Sequence, residues 1–446
     1  MSLREESIEL IQELVKNKCV NPPGNEMKSI KSVNRYLQSY GSETEIFKTD
    51  TNRGNLLCTI EGTGQGPSLM FGPAHVDVVP VEDPSKWEVP PFSGKIEDGC
   101  IWGRGTLDML YIVATQAAVF AHLYDEGFQP KGDLKFLVVS DEEAAGQYGA
   151  GYMVKNYPEK VKVDYLITET GGHPIGENRF VFAYGEKGAT WLRLNFKGEE
   201  QHGSMPFKSE NAVVKMADAV RRLKEYQPPL TTEFLDVLIE NMPIGSTQKW
   251  LLRRESLLPR LIEMASKDNL AQAKILHALS RMTISPNLCQ GGTKVNVVAG
   301  GAYVDIDIRT LPGQNAQYVH EHLKKALGPL AEETDVGPLP KEAGSEPSYG
   351  NASEVESPLV KQMERSVKQL KGTTCKLVPM LMPGVTDCRF FRNEFGTQAY
   401  GFSLFDDTLD MGELLGLIHG TNERVPLGSV GLTAQSYMLI AKGFLT

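Results

Sequence analysis

Short apolar runs alternating with one long helical period constrain the fold of this chain more than any other feature. From residue 54 onward, "NLLCTI", "SLMFGPAHVDVV", "LKFLVVS" and "DYLITE" have the length and composition of buried strands. Between the second and third lies "MLYIVATQAAVFAHLYDEG", a helix that closes on Gly127. Parallel strands need a crossover of this kind, so the pattern predicts βαβ units around a largely parallel sheet. Near the end, "QAYGFS" and the helical "VGLTAQSYMLIAKGFL" return to the same unit.

The middle of the chain reads differently. "ATWLRLNFKG", the helix "NAVVKMADAVRRLKEY", then "AYVDIDIRTLPG" and "AQYVHEHLKKAL" describe a smaller α+β unit, bracketed on both sides by the βαβ pattern. A chain of 446 residues also exceeds what one core usually serves. The reading is an α/β domain in two parts, 1–186 and 346–446, interrupted by an α+β domain at 187–345 with extra helices at about 226–288. The loop "VGPLPKEAGSEPSYGNASEVES" is expected to cross back to the first domain. "EGTGQG" at 61–66 lacks the Lys-Ser/Thr of a phosphate loop and is expected to be a hairpin turn.

A formal charge of -10 and a pI near 5.5 leave no electrostatic footprint for nucleic acid or an anionic membrane. The first segment, "MSLREESIELIQELVKNKC", places Ile8, Leu10, Ile11, Leu14 and Val15 at helical spacing among charges, an amphipathic helix and not a signal peptide. No stretch is expected to span a membrane. Cys19, Cys58, Cys100, Cys289, Cys375 and Cys388 show no C-x-x-C spacing, so reduced thiols and a cytoplasmic location are expected.

"LVVSDEEAAG" then raises a question, because three carboxylates, Asp141, Glu142 and Glu143, crowd the tip of an apolar strand. Like charges this close want open water or a cation. Ligands of α/β sheets bind beyond the carboxyl ends of the strands. Several strands here end in ligand chemistry: His75 and Asp77 in "AHVD", Glu142 and Glu143 in "VVSDEE", Glu169 in "LITET". Asp108 in "GRGTLDM" and His419 in "GLIHGTNE" join the set. Taken singly each has an ordinary reading: Asp108 a helix cap, His75 a core histidine, Glu142 and Glu143 first-turn residues favoured by the helix dipole. Together they are imidazoles and carboxylates without a thiolate, a set suited to zinc, cobalt or manganese. Five ligands exceed what one catalytic zinc takes, whereas two metals sharing a carboxylate would use them all.

The chain resembles the dinuclear zinc amidohydrolases and exopeptidases that include aminoacylase, acetylornithine deacetylase, succinyl-diaminopimelate desuccinylase, glutamate carboxypeptidases and carboxypeptidase S. The resemblance runs through "GPAHVDVVPV", "WEVPPFSGKIEDGCIWGRGTLDM", "VVSDEEAAG", "YGEKGATWLRLNFKGEEQHGSMP", "GGTKVNVVAGGAYVDIDIRTLPG" and "IHGTNE". It implies a zinc-binding α/β catalytic domain with an inserted lid that dimerises, and two divalent ions, zinc first with cobalt or manganese as alternatives. His75 and Glu143 would hold one metal, Glu169 and His419 the other, and Asp108 would bridge. Asp77 would orient His75, and Glu142 would be the general base. His202 of the lid would reach a neighbouring subunit's site, while Asn296 and Arg309 would contact substrate, the arginine through a free carboxylate. Without the resemblance, Arg309 pairs with Asp307 or Asp305 on the polar face of its strand.

Two departures stand out. Leu110 and Tyr111 replace the family's usual Lys-Gly after "LDM", and Gly384 and Val385 stand in a substrate loop where many members carry Gly-Gly. The helical insert and "MTISPNLCQGGTKVNV" resemble the carboxypeptidase S branch, which favours an apolar group on the substrate. The implied activity is hydrolysis of N-acyl amino acids or short peptides that carry a free carboxylate. The alternatives are an aminopeptidase-type dipeptidase, which Arg309 argues against, and a non-catalytic binding relative, which Glu142 argues against.

Overall fold

The computed structural model describes residues 1–242, 244–339, 346–409 and 411–446. Its large sheet has nine strands. At its centre Leu134–Val139, Leu69–His75, Tyr165–Thr168 and Gln398–Gly401 lie side by side and parallel. Leu69–His75 and Leu134–Val139 are buried at every residue, as strands covered on both faces must be. Alternate side chains divide between the two faces: Leu69 and Phe71 join the core under Leu3–Asn17, Tyr111–Asp125, Pro358–Lys371 and Leu427–Leu445, and Met70 joins the core under Ala150–Asn156 and Cys388–Phe395.

The first helix is fixed by a capping box between Ser2 and Glu5 and buries Leu10, Ile11, Leu14 and Val15, the stripe expected of it. Segment 61–66 differs from its expected hairpin. Gly54–Ile60 and Leu69–His75 both pair with Leu134–Val139, from opposite sides, so the connection passes over the start of the strand between them. Gly62 donates to Asp133 Oδ1 at 2.9 Å, and a Cβ at Gly62 would stand 2.5 Å from the Gly132 backbone. Thr106–Asp125 also departs from expectation, being long and apolar enough to cross a membrane, but most of it is buried inside the protein. A helix apolar on all sides suits the middle of a large core equally well.

A four-stranded antiparallel sheet, in the order Thr283–Gly291, Gly301–Thr310, Gly188–Lys197 and Thr334–Pro338, forms the lid. Val304, Ile306 and Ile308 face the helices Ala212–Glu225 and Ala316–Leu327. The helical excursion ends at Leu279, earlier than expected, and 283–288 belong to an edge strand. Its register breaks between Pro286 and Leu288, where proline has no N–H to donate and the alternation is obscured. Although the excursion leaves from the lid, its Leu235, Leu238, Ile239, Leu258, Leu276 and Leu279 pack into the core of the large domain. Lys187, at the crossing between domains, is buried and donates to the carbonyls of Ala278 at 2.7 Å and Arg281 at 2.8 Å. The return crossing expected at 345–346 falls beside residues 340–345, outside the described residues.

Candidate metal centre and active site

His75 closes the strand Leu69–His75, Glu169 follows Tyr165–Thr168, and Glu142–Ala144 is a tight turn beyond Leu134–Val139. Parallel strands end on the same side of a sheet, so these groups converge. Asp108 arrives from the turn before the helix Tyr111–Asp125, and His419 from a loop after Met411–Leu417. The Asp108 side chain does not cap that helix. Its Oδ1 lies 3.1 Å from His75 Nε2 and its Oδ2 lies 3.1 Å from His419 Nε2.

The nearest contacts group the remaining acids differently from the resemblance. Glu169 lies 3.5 Å from His75 Nε2, and Glu143 lies 3.2 Å from His419 Nε2. His75, Asp108 and Glu143 also offer ligand atoms within 4.8 Å of one another, as do His75, Glu142 and Glu169. On contact distance, however, His75 goes with Glu169 and His419 with Glu143. The reason is topological: strands Leu69–His75 and Tyr165–Thr168 are direct neighbours, which residue order along the chain does not reveal.

Each of the three acids in "DEE" has its own surroundings. Asp141 turns away from the cleft to Arg53 and Asn21 and accepts from Tyr148 N at 3.0 Å. Glu142 and Glu143 line the cleft, and their backbone N–H groups donate to Asp77 at 3.2 and 3.1 Å. His75 Nδ1 donates to the Asp77 carbonyl at 3.0 Å, with the Asp77 carboxylate 3.5 Å away, so one residue fixes the histidine through its backbone and the turn beside it through its side chain.

Charge in this cluster is strongly displaced. Burial, then the charge of Asp108, pushes Glu143 up to about 7 and Glu169 up to about 8. Burial, then the charge of Glu169, holds Glu142 well above the usual carboxylate range. Hydrogen bonds to Asp108 and Glu143 raise His419 to about 10. Burial would pull His75 down, but hydrogen bonds to Asp108, Asp77 and Glu169 override it and hold His75 high. Asp108 moves downward: burial opposes its charge, but His419 and His75 prevail. A crowd of half-buried and buried carboxylates with this electrostatics favours positive charge among them, and two imidazoles with three carboxylates fit a pair of divalent ions.

The cleft above the cluster has a volume of about 920 Å³, and Trp191, Arg309 and Gly384 line it with the acids. Arg309 makes the pair expected without the resemblance, Nε donating to Asp307 at 2.8 Å, and is also among the residues that line the cleft. His202 and Asn296 are not brought to the cluster. They sit together on the lid, where His202 bridges to Val297 and Gly203 N donates to Asn296 O at 2.8 Å, and neither lines the cleft. Tyr111, one of the departures, is a buried wall of the cleft whose hydroxyl bonds Ser403 Oγ at 2.9 Å.

Sequence reading missed a second tier. Glu423 accepts from Leu107 N at 2.9 Å and Asp108 N at 3.3 Å, and pairs with Arg104 at 2.7 Å. Arg104 in turn donates to His419 O at 3.1 Å. This pair ties the Asp108 turn to the His419 loop, and the only hint of it was an acid and an arginine inside quoted motifs.

Residues 73–442 match the family described as peptidase family M20/M25/M40. The chain belongs to this family. It is 33% identical over 228 residues to an uncharacterized metallohydrolase of Methanocaldococcus jannaschii, covering 48% of this chain and spanning about half, 54%, of that relative. It is 28% identical over 426 residues to the N-fatty-acyl-amino acid synthase/hydrolase PM20D1 of Xenopus tropicalis, covering 89% of this chain and 74% of that one. Among solved structures, an M20 family metallo-carboxypeptidase of Sulfolobus solfataricus superposes with a TM-score of 0.70 at 20% identity, covering 98% of this chain and 99% of the other.

Proposed function

We propose that this M20 chain hydrolyses the amide bond of N-acyl amino acids or short peptides that carry a free carboxylate, with two divalent metal ions. The observation that carries the reading is the Asp108 carboxylate, which presents one oxygen to His75 and the other to His419 at the same 3.1 Å. His75, Glu169 and Asp108 Oδ1 would hold one ion, and His419, Glu143 and Asp108 Oδ2 the other. Zinc is the first candidate, with cobalt or manganese suited to the same donors. When bound, the ions supply Lewis acidity and a water acidified toward neutrality.

The chain's own groups then move the proton. Glu142 stands beside the ligands with a raised proton affinity, takes a proton from the attacking water and returns it to the leaving amine. Asp77 keeps His75 in one orientation and the Glu142 turn in place. Arg309 at the cleft wall binds the substrate carboxylate, and Gly384 shapes a loop that lines the same cleft. Support for an apolar acyl group comes from Leu107, Tyr111, Phe405 and Leu414 along the cleft and from the fatty-acyl relative.

His202 and Asn296 would act on a partner's site in a homodimer formed through the lid. Met205, Phe207 and Val295, beside them, are 68%, 85% and 103% exposed, an apolar surface that a second copy would cover. A cytoplasmic location is supported by six free thiols. The test is a screen of N-acyl amino acids and dipeptides against protein loaded with zinc, cobalt or manganese, reading released amine. Hydrolysis of peptide amides but of no substrate with a free carboxylate would overturn the assignment.

A further inference from the structure

Asn21 and Arg53 lie behind the cluster and contribute no ligand to it, yet both are buried, at 2% and 8% exposure. Asn21 follows the first helix in "VNPPGNE", a loop tied to the strand end by Asn21 N donating to Val78 O at 2.9 Å. Its amide Nδ2 donates to Asp77 Oδ2 at 2.8 Å and to Asp141 Oδ1 at 3.2 Å. Its Oδ1 accepts from Arg53 Nη2 at 2.9 Å. The amide can face only one way, because a guanidinium only donates and a carboxylate only accepts.

Arg53 also donates to Pro23 O at 2.7 Å, contacts Asp141 directly and lies 3.7 Å from Glu26. Three buried carboxylates, Glu26, Asp77 and Asp141, thus surround one guanidinium and the amide bonded to it. The loop is shaped to the guanidinium: Gly24 has φ +85°, and a Cβ there would stand 2.3 Å from Arg53 Nη2.

We propose that Asn21 and Arg53 are positioning residues for the metal centre. They hold the Asp77 carboxylate where it accepts from Glu142 N and Glu143 N, beside the His75 ring that bonds the Asp77 carbonyl, so that a ligand, the base and a second ligand are set by a single residue. The consequence for catalysis rests on the metallohydrolase reading, but the positioning itself does not.

The experiment is therefore read without substrate. In metal-free Asn21→Ala, the amides of Glu142 and Glu143 exchange with deuterium about 10-fold or more faster than in wild type, while those of the helix Tyr111–Asp125 keep their rates. Zinc affinity, measured by competition with a chromophoric chelator, falls by about 10-fold or more. Arg53→Lys keeps the charge but loses the fork, and gives the same local acceleration to a smaller degree, which covers the case in which Asn21→Ala does not fold. Unchanged exchange at Glu142 and Glu143 in a folded variant, or a parallel rise along the whole chain, overturns the proposal. If instead wild type fails to hydrolyse any acyl amino acid, the functional reading falls and these measurements still stand.

Discussion

Glu423→Ala should cost far more than its place outside the metal ligands suggests. Glu423 is fully buried, and its Arg104 partner has a side chain only 5% exposed. Removing one partner of such a pair strands the other charge, a loss of about 3 to 5 kcal/mol. Leu107 N and Asp108 N also lose their shared acceptor, at about 1 to 3 kcal/mol for each donor left unpaired. These terms share one site and do not add fully, so a net loss near the upper end of the ion-pair range, about 5 kcal/mol, is expected. Urea unfolding of metal-free protein followed by circular dichroism measures it, with the slope checked for constancy between variants. Zinc affinity should fall together with stability, by about 10- to 100-fold, because the Asp108 turn and the His419 loop lose their tie. Glu423→Gln, which can still accept from the two amides, should fall between the wild type and Ala. A stability loss below about 1 kcal/mol, the size of an exposed pair, would refute the argument.

Three further outcomes are expected. Glu142→Ala should lose about 10²- to 10⁴-fold in kcat while two metals per chain remain by elemental analysis, and metal loss with full activity on resupply would contradict the base assignment. Arg309→Ala should lower kcat/KM by about 10-fold or more on a substrate acid, and by clearly less on the matching carboxamide. His173 is buried and pushed down by burial from 6.5 to about 4. The unfolded chain therefore binds the extra proton first, and stability falls as pH drops from 6.5 to 4, by up to about 3 kcal/mol. His173→Phe should flatten that part of the stability profile against pH.

Much of this protein was legible as a sequence, because some information is local. Apolar runs marked the central strands, and alternation put Val304, Ile306 and Ile308 on one face of theirs, the face that the structure turns into the lid core. A residue that ends a parallel strand lies at the ligand-binding side whatever the order of strands, so His75, Glu142, Glu143 and Glu169 could be named as a cluster before any neighbour was known. The motifs then carried the family.

Strand order, by contrast, is a property of pairing over distance. Only the structure places Leu134–Val139 between Gly54–Ile60 and Leu69–His75, which removes the hairpin at 61–66. Only it sets Leu69–His75 beside Tyr165–Thr168, which gives His75 its partner Glu169 and leaves Glu143 to His419. Arg104 meets Glu423 across 319 residues, and Asn21 meets Asp77 across 56. No periodicity relates such positions, because each pair is decided by where two separate elements end once the core has formed. The helical insert shows the same limit: its leucines predict burial, but whether they bury against the lid or the larger domain depended on which surface stood open beside the crossing at Lys187.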